Sequence, residues 1–283
     1  MADGMRSTLD WLCESGPVSH PSGRLTMRSA KLYLDGALGS RGAALLWDYA
    51  DDPGNRGLLF SPGAEVVQNF SRVLSCDLQI GVHAIGEAAN RQALDAYAEL
   101  DGQFPDNPGR HRIEHVQILA DSDLPRLAQL DIIASMQPIH ATSDMYWAKQ
   151  RLGEDRLAGA YAWRSLSASG ARLALGSDFP VEQVNPMLGI YAAVTRRDLE
   201  GQPEGGWLPA ERLTLDQALR GFTIDAAYAA FMEDEVGSLE LSKRADFIVL
   251  DRNITAIPVA EIPQVRVLQT WLDGERLYLR RED

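Results

Sequence analysis

The sequence is poor in cysteine and contains no long hydrophobic run. Its 283 residues include only two cysteines, Cys13 and Cys76, with no C-x-x-C pair. This usage predicts a reducing compartment, the cytoplasm, and argues against both a disulfide scaffold and a thiolate metal site. No stretch approaches the roughly 18 apolar residues of a membrane span, and the first residues lack the basic and apolar segments of a signal peptide.

Positive charge is also scarce. The formal net charge is −13, with 27 Lys and Arg against 40 Asp and Glu. Because phosphate groups are bound mainly by Lys and Arg, such an acidic chain is a poor candidate for binding nucleic acid or an anionic membrane. The content of 45% hydrophobic and 24% charged residues is that of a soluble globular protein.

What is present is an alternation of short β-rich runs with longer helical patterns, which is typical of βα units around a parallel sheet. Thr214 with Gln217 predicts a capping box, Thr223 predicts the cap of the next helix, and Asp273-Gly274 predicts a hairpin turn. The predicted strands are Lys31–Asp35, Leu78–His83, Arg112–His115, Ile132–Gln137, Arg172–Asp178, Asp246–Leu250, Val265–Leu272 and Glu275–Leu279. The predicted helices include Glu87–Leu100, Leu124–Leu130, Leu157–Ser169, Leu215–Gly221 and Ile224–Met232.

Reactive side chains stand at the C-terminal ends of several predicted strands. His83, His115 and Asp178 are the last residues of their strands, and His140 follows a fourth strand closely. In a parallel α/β barrel the C-terminal ends of the strands lie at one face, where the active site is built. We therefore expect these side chains to lie at the mouth of a barrel.

Alternation along each strand predicts which side chains share a face. Lys31 shares its face with Tyr33 and Asp35, whereas the leucines between them face the helices. Taken alone, Lys31 is compatible with a solvated surface position and Asp178 with a turn. Taken together, two imidazoles, a carboxylate and a buried lysine suit a divalent metal such as zinc, which keeps one position open for water when it is catalytic.

Six stretches carry a resemblance to a known family: Lys31–Arg41, Val82–Glu87, His111–His115, Ser135–Asp144, Leu175–Val181 and Ala245–Asp251. They are similar to sequences of the amidohydrolase superfamily, most closely its amidohydrolase-3 branch, which includes N-substituted formamide deformylase-like proteins. The resemblance runs from about Arg24 to the C-terminus. The departures, Ser242 in place of a glycine and Glu87 in place of an aspartate, are tolerable.

The resemblance implies an α/β fold, namely a (β/α)8 TIM barrel with a small β-sandwich domain. This chain would hold only barrel strands four to eight and the C-terminal part of the sandwich. The expected domains are a lead-in at 1–30, an incomplete hydrolase barrel at 31–235 and a sandwich portion at 236–283.

The resemblance also implies residue roles. Lys31 stands at the position of a carboxylated, metal-bridging lysine, His83 and His115 match metal ligands, and Asp178 matches an aspartate that is both ligand and proton shuttle. The implied reaction is hydrolysis of an amide-type C–N bond in an N-acyl or N-formyl amine by a metal-activated water, with zinc as the expected metal. The expected partner is a small-molecule amide, and the chain is a candidate homo-oligomer.

His140 and Asp144 would face the substrate. Four aromatic residues leave two interpretations open, since they fit either an apolar substrate pocket or the core. They are Tyr146, Trp147, Trp163 and Phe179.

The His-x-His pair that family members carry at the end of the first barrel strand is absent. None of the five histidines stands two positions from another, and only 30 residues precede Lys31. Three hypotheses follow: a fragment of an amidohydrolase whose activity needs the missing part, a catalytically inactive truncated remnant, or an interaction module whose exposed strand edges pair with another chain. An upstream segment with His-x-His on a strand would single out the first.

Overall fold

A computed structural model describes residues 3–281, with side chains from Thr8 onward. The strands are β1 (Val18–Ser19), β2 (Thr26–Met27), β3 (Ser29–Tyr33), β4 (Gln79–Ala84), β5 (Arg112–His115), β6 (Ile133–Met136), β7 (Leu173–Leu175), β8 (Phe247–Leu250), β9 (Val267–Leu272) and β10 (Glu275–Leu279). The helices are α1 (Asp3–Ser15), α2 (Gly63–Leu74), α3 (Glu87–Leu100), α4 (Leu124–Gln129), α5 (Pro138–Asp144), α6 (Ala148–Leu152), α7 (Trp163–Ala168), α8 (Pro186–Thr195), α9 (Leu215–Phe222) and α10 (Ile224–Ala229). Short 3-10 turns span Leu157–Gly159, Pro209–Glu211 and Val259–Gln264.

The backbone divides into two compact units. The first comprises Met1–Ala134, Ala148–Ala162 and Ala168–Arg172, and the second comprises Ser135–Trp147, Trp163–Ser167 and Leu173–Asp283. The domain boundaries expected after residues 30 and 235 stay predictions.

A parallel sheet is the centre of the fold. Its five strands follow one another in the order β3-β4-β5-β6-β7, which confirms the predicted α/β class with a parallel sheet. Lys31 pairs with Gly81 and Tyr33 with His83 in the register of β3 and β4. The completion of a barrel and the sandwich domain stay predictions.

Helices α2 and α3 cover one face of this sheet in the first unit. Ile80 and Val82 of β4 have no solvent exposure, because they point toward this helical layer. The rings of Phe70 and Tyr97 pack there with centroids 4.7 Å apart. The other face of the same strands carries the polar side chains.

The helix predicted over residues 157–169 is broken in two. The 3-10 turn Leu157–Gly159 and α7 are separated because residues 159–161 pair with another segment: Leu119 N–H donates to Gly159 O at 3.0 Å and Tyr161 N–H to Gln117 O. A Cβ at Gly159 would lie 1.9 Å from Leu119 O, so the approach depends on glycine.

Two of the predicted local signals are confirmed in the second unit. Thr214 and Gln217 form the capping box at the start of α9, each side chain accepting from the other's backbone N–H. Asp273-Gly274 joins β9 to β10, with φ of 55° and 78° that suit a tight hairpin. Thr223 does stand at the N-cap position of α10, as predicted, but it makes no side-chain cap bond, because its hydroxyl donates back to Leu219 O at 2.6 Å.

Cys13 and Cys76 form a disulfide, which corrects the expectation of reduced, unpaired cysteines. Their Cα atoms are 4.9 Å apart although 63 residues separate them in the chain. Spacing motifs detect only nearby pairs, so no sequence pattern predicts this bond. Among the described residues, no helix combines the length and apolarity needed to cross a bilayer.

Candidate metal centre

His83, near the end of β4, lies between β3 and β5. Its ring centroid is 5.4 Å from that of Tyr33 on β3, and Lys31 Nζ lies 4.9 Å from the Tyr33 ring. The three side chains therefore share the predicted face. The expectation that Lys31 is buried is wrong for this structure: Lys31 is exposed and Tyr33 is 51% exposed, because β3 is the first strand in the sheet order.

His115 reaches the same face through an unusual backbone conformation. In the register of β4 and β5, His83 pairs with Glu114, so regular alternation would turn His115 to the opposite face. The φ angles of 81° at His115 and 45° at Val116 end this alternation. The His115 ring then lies 4.6 Å from the His83 ring, edge to face. A positive φ is unfavourable for both residue types, and such strain recurs at functional sites.

Asp35 is the residue that sequence reasoning placed on this face without a role. Its side chain has no solvent exposure, and Oδ1 lies 3.4 Å from His83 Nε2. Its two oxygens accept three backbone N–H groups, from Ala44 and Gly86 at Oδ2 and from Ile85 at Oδ1, at 2.8 to 3.0 Å. Backbone N–H groups from two separate segments, Ala44 and Ile85-Gly86, thus meet at one carboxylate just after β3.

The segment Ala43–Ala44 of the loop after β3 packs against the start of α3. Ala88 N–H donates to Ala44 O at 2.9 Å. A Cβ at Gly86 would stand 2.0 Å from that same oxygen, so only glycine allows this approach. Tyr49 fixes the loop further by donating its hydroxyl to Ala43 O at 2.8 Å, and burial raises the pKa of that hydroxyl.

Polar side chains fill the sheet face beneath His83. The Arg112 guanidinium donates to Glu114 Oε1 at 2.5 Å and also to Gln79 Oε1. Gly81 leaves room for them, since a Cβ there would lie 3.0 Å from the guanidinium. The face is therefore polar, as the alternation predicted.

In the second unit, His140 and Asp178 come together. His140 Nε2 lies 4.0 Å from Asp178 Oδ2; the histidine is buried, and the Asp178 side chain is 41% exposed. Burial lowers the pKa of His140, and the nearby carboxylates of Glu182 and Asp178 oppose that shift. Asp178 has a φ of 55°, so a second predicted ligand sits in the left-handed region.

Asp144 is the last residue of α5, one turn beyond His140, and is half-buried. Glu182, which sequence reasoning missed, accepts from the Ser143 hydroxyl at 2.8 Å. Only its closeness to Asp178 in the chain could have indicated it.

The four aromatic candidates divide between core and surface. Trp163 has no exposure and lies under the guanidinium of Arg196, 4.2 Å from its ring centroid, so it belongs to the core. Tyr146 and Phe179 are 63% and 65% exposed. Trp147 is half-buried, and the role of these three in a pocket stays a prediction.

A divalent metal fits these residues in part. Within residues 3–281 no group of three or more His, Cys, Asp and Glu side chains is arranged to hold a metal. His83 and His115 nevertheless present two imidazoles side by side, and imidazole is a common zinc donor. Lys31 stands on the neighbouring strand and could contribute only after losing its proton.

The chain is similar in sequence to known proteins of one family. A family model described as the amidohydrolase family matches residues 6–278. The protein LONG AFTER FAR-RED 3 of Arabidopsis thaliana is 38% identical over 90% of this chain and 43% of its own length. An N-substituted formamide deformylase of Arthrobacter pascens is 30% identical over 79% of this chain and 41% of its own length.

The chain is also similar in structure to a solved protein. An uncharacterized metal-dependent hydrolase from Pyrococcus horikoshii OT3 matches with a TM-score of 0.79 and 32% identity, covering 89% of this chain and 50% of that one. The chain thus spans half or less of the length of these relatives.

Proposed function

The chain belongs to the amidohydrolase family, and on that premise we propose that it carries part of the active site of a metal-dependent amidohydrolase. The reaction is hydrolysis of an amide-type C–N bond. The observation that carries the proposal is the pairing of His83 with His115, whose rings lie 4.6 Å apart only because His115 leaves the regular strand conformation. Two imidazoles brought together at such a backbone cost favour a ligand-binding role over a structural one.

The ligands proposed from the sequence are Lys31, His83, His115 and Asp178. A divalent metal such as zinc, when bound, lowers the pKa of a water molecule and polarises a carbonyl oxygen. Asp178 accepts the proton of the attacking water and delivers it to the leaving amine. Its exposure of 41% leaves it accessible to substrate.

His140 and Asp144 are the proposed substrate contacts. His140 is suited to hydrogen bonding rather than to carrying charge, because burial lowers its pKa and favours the neutral ring. The proposed substrate class is an N-acyl or N-formyl amine. It is supported by the Arthrobacter relative, which is an N-substituted formamide deformylase. The cytoplasmic setting stays a prediction from composition, and the Cys13–Cys76 disulfide, a bond typical of oxidising compartments, counts against it.

The test is an assay of amine release from a panel of N-formyl and N-acyl amines. It compares the chain alone with the chain joined to the part of the Arthrobacter relative that it does not match. We expect turnover in the joined protein, and Asp178→Asn should reduce it by at least about 100-fold, as loss of a proton-transfer group does. Asp216→Asn, the same change at an exposed position of α9, serves as the control.

Two results contradict the proposal. Turnover retained by folded Asp178→Asn would exclude that residue as the proton shuttle. Absence of amine release from every compound with both proteins would reject the amidohydrolase activity itself.

A second candidate is the interaction module. Its support is the exposed apolar surface beside β3, where Tyr33 and Phe60 are each 51% exposed and Leu58 is 61% exposed. Unpaired strand edges with apolar neighbours favour pairing with another chain. Sedimentation analysis of the purified chain distinguishes a monomer from a homo-oligomer formed through this surface.

A further inference from the structure

One carboxylate in the first unit, that of Asp35, is buried among backbone N–H groups. Asp35 is 1% exposed, and its partners are three backbone N–H groups and the ring of His83. A buried carboxylate is costly unless its lone pairs are used. Its hydrogen bonds therefore show what it is built to hold.

The lone pairs of Asp35 are nearly all used. An ionised carboxylate offers about four acceptor positions, two on each oxygen. Oδ2 accepts from Ala44 N at 2.9 Å and from Gly86 N at 2.8 Å, so it is full. Oδ1 accepts only from Ile85 N, at 3.0 Å. One acceptor position on Oδ1 is left.

The atom next to that position is His83 Nε2, at 3.4 Å. This nitrogen is buried and makes no hydrogen bond within the part of the chain that the structure describes. Buried polar groups in proteins are almost always paired, and 3.4 Å lies only slightly beyond the usual hydrogen-bond range of about 2.7–3.2 Å, so Oδ1 is the acceptor that stands ready for this nitrogen. Because the carboxylate can only accept, the proton must then lie on Nε2.

We propose that Asp35 is a positioning residue for His83: it fixes the ring proton on Nε2 and so leaves Nδ1 as the nitrogen with the free lone pair. The same carboxylate holds the loop at Ala44 and the turn at Ile85-Gly86, so the orientation of the ring is coupled to that of both segments. The inference deepens the proposed function, on which its metal-binding consequence rests. The tautomer itself does not depend on that function.

A purely architectural role would leave the ring free. In that case Asp35 would only connect the loop at Ala44 to the start of α3, through its three backbone N–H partners. His83 could then adopt either tautomer. The decisive measurement is therefore the tautomer, which a merely structural role would not fix.

The first test is nitrogen-15 NMR of the histidine rings in the full chain at pH 8, with His83→Gln used to assign the His83 signals. We expect His83 to be protonated on Nε2 alone. A ring protonated on Nδ1, or a mixture of both tautomers, would overturn the proposal. The tautomer is read on the unaltered protein, and the variant serves only to identify which signals belong to His83.

The second test compares zinc affinity by isothermal titration calorimetry for the wild type, Asp35→Asn and Asp123→Asn. Asp123 is the matched control, since it is another buried carboxylate of the same unit, with a 3% exposed side chain bonded to Arg91 and Arg126. Both variants should lower stability. Only Asp35→Asn should weaken zinc binding, by about 10- to 100-fold, as loss of a carboxylate behind a metal-binding histidine does.

The outcomes separate the two proposals. Equal zinc affinities in Asp35→Asn and wild type would overturn the role of Asp35 and leave the metal site standing. A wild-type chain that binds no zinc but shows the Nε2-protonated ring would contradict the proposed function and support Asp35 as the residue that sets the tautomer.

Discussion

At the scale of single residues, the candidate site depends on departures from regular backbone. His115 and Asp178 both have positive φ, of 81° and 55°. Sequence patterns identified both as strand-end residues, yet the alternation rule alone would have turned His115 away from His83. The departure is invisible to pattern analysis, because a positive φ is uncommon even for Asp and His and is held in place by the surrounding structure.

A different histidine, His111, predicts the pH dependence of stability. Its ring accepts from Ile80 N at 3.1 Å and stacks on Tyr97, and burial lowers its pKa from 6.5 to about 4. The unfolded chain therefore binds the proton first as the pH falls. The stability contributed by neutral His111 is complete above pH 6.5 and is lost as the pH falls toward 4.

The test is urea denaturation at pH 7.5, 6 and 5. His111→Asn, which keeps an acceptor for Ile80 N, should lose less stability between these pH values than the wild type. His20→Asn, at an exposed position, should follow the wild type. If the free energy of unfolding of His111→Asn changes with pH as much as that of the wild type, His111 is not the source of the pH dependence.

At the scale of elements, the contact between the loop after β3 and the start of α3 is the most demanding. Gly86→Ala should destabilise the first unit by at least about 2 kcal/mol, because the new Cβ would stand 2.0 Å from the backbone oxygen of Ala44. Gly63→Ala, at the start of α2, meets only a side-chain atom at 3.8 Å and should change stability by less than about 0.5 kcal/mol. Chemical denaturation of both variants measures the difference. Equal stabilities of the two variants would show that the loop after β3 moves to make room for the new methyl group.

Elements governed by local pattern were predictable, and those governed by distant contacts were not. The capping box of Thr214 and the hairpin at Asp273-Gly274 depend on residues within a few positions, and both are confirmed. The prediction of a helix over residues 157–169 was wrong because residues 159–161 form hydrogen bonds with residues 117–119. The Cys13–Cys76 bond joins positions 63 residues apart and has no local signature.

At the scale of the whole molecule, the ligand set is incomplete, and this fixes the expected metal content. Two imidazoles lie together in the first unit, and the described residues contain no cluster of three or more His, Cys, Asp and Glu donors. Elemental analysis of the dialysed chain should give at most about one firmly bound zinc per molecule, since a closed zinc site takes about four ligands. Two firmly bound ions would mean that ligands are unidentified, and none would contradict the pairing of His83 with His115 as a metal site.

The burial of Lys31 was the main error at this scale, and its cause is physical. The sequence pattern of β3 is that of an inner barrel strand, but β3 is the first strand in the sheet order and its face is open. Alternation along a strand shows which side chains share a face, but not whether another strand covers that face. The chain spans 43% and 50% of the length of two of the relatives it matches.

The position of Lys31 on β3 has a further consequence for colloidal behaviour. Charged side chains on an outermost strand, lysine above all, oppose edge-to-edge pairing between molecules. Lys31 is exposed in β3, where its neighbours in sequence are the apolar residues Ala30 and Leu32. Replacing Lys31 with alanine therefore removes both a proposed ligand and a charge that opposes aggregation. Any loss of metal or activity in that variant has to be measured on protein shown by light scattering to be monodisperse.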